Sequence, residues 1–327
     1  MATPFFLRRL RACAGLLLCV LALQAHAAYP DKPVRFIVPF PPGGGTDAFA
    51  RIIGVELTKM WGQQVLVDNR AGAQGNIGTA MAVKAPPDGY TLVFAHQGVL
   101  TVNAHMYQSI GFDPLKDMVP VSRGTEQPFI LVANPEVPAH NLKELTALAR
   151  KDPGKLTFAS SSSGPQMAGE MYKMAAGIDM LHVTYKGAGP AVIDLLAGNV
   201  NLMVANPTSV APHVKSGKLR AMAVFGDKRL DILPDVPTAA EAGYPELGKN
   251  PEWYGIAVPV GTPPAIVQKL NADINTALKS DEVQKAIRGL GLIPSPSTPE
   301  EFARQIRTDY EVWGKVVKAS GAKADGN

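Results

Sequence analysis

Short strands and helices alternate along this chain, and the residues that join them are rich in glycine and serine. Residues 34–38 favour a strand, a proline-glycine turn follows at 41–45, and apolar residues at helical spacing continue until Gly62. The same order repeats from Val65 and ends at a strand over 91–95. This βαβαβ order predicts a largely parallel sheet with helices packed on its faces.

A second α/β block begins near residue 127 and runs to a strand over 219–225. A strand over 253–258 and helices over 264–279 and from 299 to about 317 remain, and we expect them to complete the first sheet. The predicted units are lobe 1, formed by residues 28–126 plus 253–327, and lobe 2, formed by residues 127–252. About 300 residues suit two such units better than one core. Two chain crossings make a hinge, with a ligand cleft between the lobes.

Residues 1–27 have the features of a secretory signal peptide. Three early arginines precede an apolar run over 16–23, and small residues follow, which predicts cleavage after Ala27. We therefore expect a periplasmic protein. Cys13 and Cys19 both lie in this segment, so the exported chain would hold no disulfide, thiolate metal site or cysteine nucleophile.

Charge and motifs argue against several functions. The predicted signal segment holds three of the 32 basic residues and none of the 28 acidic ones, so the exported chain is nearly neutral and nucleic acid is not an expected partner. Neither a G-x-S-x-G elbow nor an H-E-x-x-H zinc motif occurs in the sequence. We therefore expect no catalysis, no metal and no cofactor.

Three glycine- or serine-rich loops carry the main binding hypothesis. They span residues 41–47, 71–78 and 160–166, and each follows a strand and precedes a helix. That position is the carboxyl edge of a sheet, where backbone N–H groups at helix N-termini favour an anion. The alternative is that Thr46 or Asp47, and Ser163, merely cap their helices.

Two aromatic residues near these loops are further candidates. Phe40 lies between the first strand and the glycine turn, where it either forms an apolar wall for a ligand or packs in the core. His96 follows the strand over 91–95, where it either reaches the cleft or lies in a solvated loop.

A dinucleotide-binding function is the main alternative. Residues 43–48 fit G-x-G-x-x-A after a strand, and Asp68 ends the next strand, where a ribose-binding acid would be expected. An exported NAD(P)-dependent oxidoreductase would use these residues. Pro41 and Pro42 before the glycines argue against it, as does the scarcity of free nicotinamide cofactor outside the cytoplasm.

Several segments resemble one family of receptors over essentially the whole exported chain. The matching segments are 29–34, 39–47, 70–78, 88–90, 182–187 and 217–221. They resemble the substrate-binding receptors of tripartite tricarboxylate transporters, the Bordetella-type uptake receptors. The resemblance implies a two-lobed periplasmic binding fold of the second type that closes on its ligand. We expect a monomer that binds a small carboxylate and delivers it to membrane permease subunits.

The resemblance also implies which residues bind. Ligand carboxylate oxygens would meet amides and hydroxyls of the first two loops, partly through water, and the serine loop would hold the far end of the ligand. The positions that match are Phe40, Gly44, Gly45, Thr46, Ala73, Gln74, Gly75, Ser160, Ser161, Ser162, Ser163 and Thr184.

Two departures from the family pattern bear on the ligand. Asn206 stands where receptors for amino acids have an acidic residue, and Gln166 stands where a histidine is common. We add both residues, with His96, to the candidate site. A ligand with an ammonium group would lack its counter-charge, which favours a dicarboxylate or an aromatic carboxylate. A co-receptor of a membrane sensor kinase would use the same binding fold and is a further alternative.

Overall fold

The computed structural model describes residues 29–324, so the predicted signal peptide lies outside the described residues. In chain order the strands are β1 (Val34–Val38), β2 (Val65–Asn69), β3 (Thr91–His96), β4 (Met118–Gln127), β5 (Phe129–Ala133), β6 (Thr157–Ser160), β7 (Leu181–Thr184), β8 (Leu202–Ala205), β9 (Arg220–Phe225), β10 (Glu252–Pro259) and β11 (Ile293–Pro294). The helices are α1 (Gly45–Trp61), α2 (Asn76–Val83), α3 (Asn103–Met106), α4 (Leu142–Lys151), α5 (Ser163–Ala176), α6 (Ala188–Leu196), α7 (Pro207–Lys215), α8 (Pro264–Lys279), α9 (Asp281–Gly289) and α10 (Pro299–Ser320).

The strands form two separate sheets. The first has the order β11-β4-β10-β3-β1-β2, and the second has the order β7-β6-β8-β5-β9. The strand β4 ends in the first sheet and β5 begins in the second, while β9 lies in the second and β10 returns to the first. The predicted α/β fold with two lobes is confirmed.

The sheets are mixed, whereas the sequence led us to expect largely parallel ones. The strand β10 runs antiparallel to β3 and β4, and β5 runs antiparallel to β8 and β9. The reason lies in the crossings. The first residue of β10, Glu252, pairs with Gln127 at the end of β4, so β10 enters its sheet at the edge where β3 and β4 end. Both crossings therefore lie at the carboxyl edges of the sheets.

The predicted strands and helices are present with ends shifted by a few residues, but some elements were not predicted. The strand β4 escaped notice because Pro120, Arg123 and Glu126 interrupt any regular alternation of apolar residues. The short elements α3, α9 and β11 were also missed. The helix α1 ends where expected, at Gly62, whose φ of 64° is the left-handed conformation that glycine adopts readily.

The central strands of each sheet are buried on both faces. In β1, Phe36 points into the core beneath α1 and α8, whereas Ile37 points into the core beneath α2 and α10. In β5, Leu131 lies beneath α4 and α5, and Ile130 lies beneath α6 and α7. The two lobes also touch directly, because Trp313 of α10 packs in one apolar cluster with Met167 of α5.

None of the helices between Tyr29 and Ala324 is long and apolar enough to cross a membrane. In the same part of the chain, no group of three or more His, Cys, Asp or Glu side chains is placed to hold a metal ion.

Candidate functional site

A cavity of about 580 Å³ lies between the carboxyl edges of the two sheets. The loops that follow β1, β6, β7 and β8 converge on it, together with the end of β3 and the start of β10. Its walls are residues 40–46, His96, Ser161, Ser162, 186–190, Val192, Ile193, Leu196, Asn206, Thr208, Ser209, His213 and Tyr254.

Four helices direct their N-termini into this cavity without a side-chain cap. The N-cap residues are Gly44 for α1, Ser162 for α5, Gly187 for α6 and Asn206 for α7. All four line the cavity, and none of their side chains accepts a hydrogen bond from its own helix. The first-turn amides of a helix have no partner within the helix, and they carry the positive end of its dipole.

Three of the helices that begin elsewhere have a side-chain cap, whereas α2, α3 and α8 have none. Asn141 caps α4, Ser280 caps α9, and Thr298 forms a full capping box with Glu301 at α10. The alternative that the glycine and serine loops only cap helices therefore does not describe α1 or α5. Their first-turn amides remain available for an anionic ligand.

Asp47 is the acidic residue of the first loop, and it does not line the cavity. Its carboxylate accepts hydrogen bonds from the amide of Gly43 (3.0 Å) and from Asn69 Nδ2 (3.0 Å), and it pairs with Arg51 (2.9 Å). Burial acts to raise the pKa of Asp47, but these hydrogen bonds and the guanidinium charge outweigh it and hold the pKa below its usual range. The charge of Asp47 is thus neutralised within lobe 1.

The cavity has no negatively charged wall. No aspartate or glutamate of residues 29–324 lines it, whereas Lys186, His96 and His213 do. Lys186 is exposed, and no carboxylate of the described residues forms an ion pair with it. One side of the cavity is apolar, because Val192, Ile193 and Leu196 of α6 face it.

Eight of the predicted site residues line the cavity. They are Phe40, Gly44, Gly45, Thr46, His96, Ser161, Ser162 and Asn206. They come from both lobes, and Gly45 and Thr208 nearly touch across the cleft: a Cβ atom added to Gly45 would lie 3.3 Å from the Thr208 hydroxyl oxygen.

The second predicted loop packs behind this wall instead of on it. A Cβ atom at Gly75 would lie 3.2 Å from the Phe40 ring, and the carbonyl of Gln74 accepts a hydrogen bond from Asn103 (3.2 Å). Ala73 and Gln74 have φ angles of 45° and 51°, which are uncommon for residues with a side chain. Ala73, Gln74 and Gly75 therefore support Phe40 from behind, and a direct contact with ligand stays a prediction.

Four other predicted residues do not line the cavity. Ser160 is fully buried and lies 2.8 Å from His182 Nε2. Ser163 and Gln166 are buried in the first turns of α5, each with an oxygen that has no hydrogen-bond partner. Thr184 is exposed at the end of β7. Their roles as ligand contacts also stay predictions.

Sequence reasoning missed the contribution of α6, of the residues of α7 that follow Asn206, and of the start of β10. Lys186, Gly187 and Gly189 follow β7, so the rule that selected the other loops would have found them. Nothing in the local sequence marks Tyr254 or His213 as cavity residues, since their positions depend on how the two sheets face each other.

The dinucleotide hypothesis fails on Asp68. Its carboxylate pairs with Arg35 and with Arg70 (2.8 Å), so it is not free to bind a ribose.

A comparison with known families identifies the family of this chain. The description "Tripartite tricarboxylate transporter family receptor" belongs to a family whose model matches residues 49–322. The chain belongs to this family. It is a solute-binding receptor and not an enzyme, as the sequence predicted. Protein BugT of Bordetella pertussis (strain Tohama I) is 39% identical over 321 residues, which cover 96% of this chain and 98% of that protein.

Solved structures of similar receptors share the whole architecture. One, described as a periplasmic transporter, is 42% identical with a TM-score of 0.87 and covers 91% of this chain and 100% of that one. Rpa4515 of R. palustris with adipate is 33% identical, with a TM-score of 0.86 and coverages of 90% and 98%. MatC of Rhodopseudomonas palustris with bound malate is 32% identical, with a TM-score of 0.83 and coverages of 88% and 100%.

Proposed function

We propose that this receptor captures a small carboxylate in the periplasm, preferably a dicarboxylate or an aromatic carboxylate, and delivers it to the permease of a tripartite tricarboxylate transporter. The convergence of four uncapped helix N-termini on one cavity carries the proposal, because such amides bind anions without a charged side chain. The similar receptors with adipate and malate support the ligand class.

The cavity walls suggest how such a ligand lies. One carboxylate would meet the amides at the start of α1 and α5, near Gly45 and Ser162. The carbon chain or ring would rest against α6, where Ile193 is 67% exposed and has apolar surface to cover. A second carboxylate would lie near Lys186, with which no acidic residue of the described part of the chain forms an ion pair. An ammonium group would find no anionic partner on these walls.

The lobe boundaries near residues 127 and 252 are part of this proposal. Both crossings lie at the cavity edge, so rotation about them would open or close the cleft without disturbing either core. Closure would bring the N-termini of α1 and α5 onto the same ligand.

A thermal screen tests the ligand class. At about a thousandfold excess over Kd, a bound ligand stabilises the folded state by about 4 kcal/mol, which for a protein of this size raises Tm by roughly 5 °C or more. We expect this rise with at least one dicarboxylate or aromatic carboxylate, and little rise with the corresponding amides or with amino acids. The proposal would be wrong if no carboxylate raised Tm.

The role of Lys186 can be tested by Lys186→Gln. We expect the variant to bind the best dicarboxylate up to about fivefold more weakly, since an exposed charge pair contributes up to about 1 kcal/mol. A monocarboxylate should lose less than about twofold, because it has no second charge to place near Lys186. Calorimetric titration of both ligands measures this, with Lys218→Gln, an exposed lysine outside the cavity, as the matched control. Equal losses for both ligands would contradict the assignment.

A further inference from the structure

A buried carboxyl group lies directly behind the cavity, at the point where the two lobes meet. Glu252 is the first residue of β10, and its side chain is fully buried. One carboxyl oxygen, Oε2, accepts hydrogen bonds from Gln127 Nε2 (3.1 Å) and from Asn206 Nδ2. Gln127 ends the strand at the first crossing, and Asn206 belongs to lobe 2 and lines the cavity. Glu252, at the crossing near residue 252, is thus hydrogen-bonded both to the crossing near residue 127 and to a side chain of the cavity wall.

The other carboxyl oxygen faces lobe 1. Glu252 Oε1 lies 3.3 Å from His96 Nε2. The His96 ring packs between Phe40, with ring centres 4.7 Å apart, and Tyr254, with ring centres 5.4 Å apart. The start of α5 closes the remaining side, because a Cβ atom at Gly164 would lie 2.9 Å from Oε1.

No cation neutralises this carboxyl group. The groups that face it are His96 on β3, Tyr254 on β10, Gln127 on β4 and Asn206 before α7, and no lysine or arginine of residues 29–324 forms an ion pair with it. Burial raises the pKa of Glu252 to about 7, lowers the pKa of His96 to about 3, and raises the pKa of Tyr254 well above its usual value. Oε1 makes no hydrogen bond with the described residues, and His96 Nε2 lies 3.3 Å from it. A proton on Oε1 would give this oxygen a donor role toward His96 Nε2, while Oε2 still accepts from Gln127 and Asn206.

We propose that Glu252 is a specificity-determining residue that acts through Asn206 and His96 and keeps the cavity free of negative charge while it carries a proton. Neutral Glu252 holds both cavity side chains in place and admits a dianion. Ionised Glu252 places a negative charge behind Asn206, close to the cavity. Repulsion between this charge and the ligand carboxylates weakens their binding. The effect on the ligand rests on the proposed function, whereas the protonation of Glu252 does not.

The protonation state is tested without any ligand. Carbon-13 NMR of the glutamate side-chain carboxyls across pH should show one group that titrates near neutrality and is missing from the spectrum of Glu252→Gln. A Glu252 signal already ionised at about pH 5.5, below the model-peptide pKa of His, would mean that Glu252 and His96 form an ion pair, and this would overturn the proposal.

The effect on specificity is tested with adipate as the probe. The amide introduced by Glu252→Gln can make the hydrogen bonds of the neutral acid, so we expect this variant to bind with wild-type affinity at about pH 6.5. At about pH 8.5 we expect the wild type to bind adipate about tenfold more weakly than the variant, which corresponds to one pKa unit of linkage. His213 lines the cavity in both proteins, so the ratio of their affinities isolates Glu252.

Asp309→Asn is the matched control. Asp309 is also a buried carboxyl, and it accepts a hydrogen bond from Trp253, the residue that follows Glu252 in the sequence. It does not line the cavity. We expect this variant to keep the pH dependence of the wild type. A wild-type to Glu252→Gln affinity ratio that does not change with pH would overturn the proposal. Failure of both proteins to bind adipate would count against the ligand class, and the NMR titration would still decide the state of Glu252.

Discussion

Replacement of Gly44 by aspartate is expected to weaken carboxylate binding by about a hundredfold or more, because two like charges about 4 Å apart repel by several kcal/mol at an effective dielectric constant of about 20. Gly44 is the uncapped N-cap of α1, its φ of −90° suits any residue, and a Cβ atom there meets nothing within 4 Å. An aspartate side chain would fold back onto the first-turn amides and occupy the place that we assign to the ligand carboxylate.

The same substitution should not destabilise the unliganded protein. Aspartate at an N-cap is favoured over glycine by a few tenths of a kcal/mol, so the free energy of unfolding should stay the same or rise slightly. Binding and stability would then change in opposite directions, which separates loss of the site from loss of the fold. Calorimetric titration and urea unfolding measure the two quantities.

Two variants at the same position serve as controls. Gly44→Asn supplies a cap of the same shape without the charge and should lose less affinity than Gly44→Asp. Gly44→Ala supplies neither and should bind nearly as the wild type does. A loss of affinity of no more than about threefold for Gly44→Asp would correspond to less free energy than one hydrogen bond to a charged group contributes. The amides of α1 would then not hold the ligand carboxylate.

Replacement of Trp253 by alanine is expected to lower the free energy of unfolding by about 3–5 kcal/mol, the range for removal of a large buried aromatic side chain. Trp253 is 1% exposed, donates its Nε1 proton to Asp309 (2.6 Å), and packs edge-to-face against Phe302 with ring centres 5.0 Å apart. The variant would leave a cavity beside β10, and the buried Asp309 carboxyl would lose the donor to Oδ2 while it keeps the bond from Gln305 to Oδ1.

Trp61→Ala is the matched control for this prediction. Trp61 also donates its Nε1 proton to an aspartate, Asp273 (2.7 Å), but its side chain is only partly buried at the end of α1. We expect a loss well under half of that for Trp253→Ala, because less apolar surface becomes exposed. Urea unfolding followed by far-ultraviolet circular dichroism gives both values. Equal losses of unfolding free energy in the two variants would mean that the deeper burial of Trp253, beside the crossing near residue 252, does not contribute the extra stability.

The loops around the cavity show how far local reasoning reaches. Gly44 and Ser162 belong to loops chosen because each follows a strand and precedes a helix, and both line the cavity. Asn206, chosen from the family resemblance, has the same position before a helix and also lines it. The rule works because a strand-to-helix connection in an α/β unit always emerges at the carboxyl edge of the sheet. Gly187 satisfies the same rule and would have been found had the rule been applied to β7.

The second loop shows where the same rule stops. Ala73, Gln74 and Gly75 also follow a strand, yet they pack behind Phe40 and do not line the cavity. Their distance from the cavity depends on the position of Phe40 and Val99, which contact Gly75 from other segments of the chain. A spacing rule contains no information about which of two neighbouring loops lies nearer to the opposite lobe.

The sequence alone determined the order of strands and helices, the residues at the helix N-termini and the resemblance to one receptor family, because each depends on neighbours a few positions away. Only the tertiary structure decided the direction of β5 and β10, the facing of the two sheets and the surroundings of Glu252. Its partners Gln127 and His96 lie far away in the sequence, and the pKa of its carboxyl is raised by burial, a property that exists only once both lobes have assembled around it.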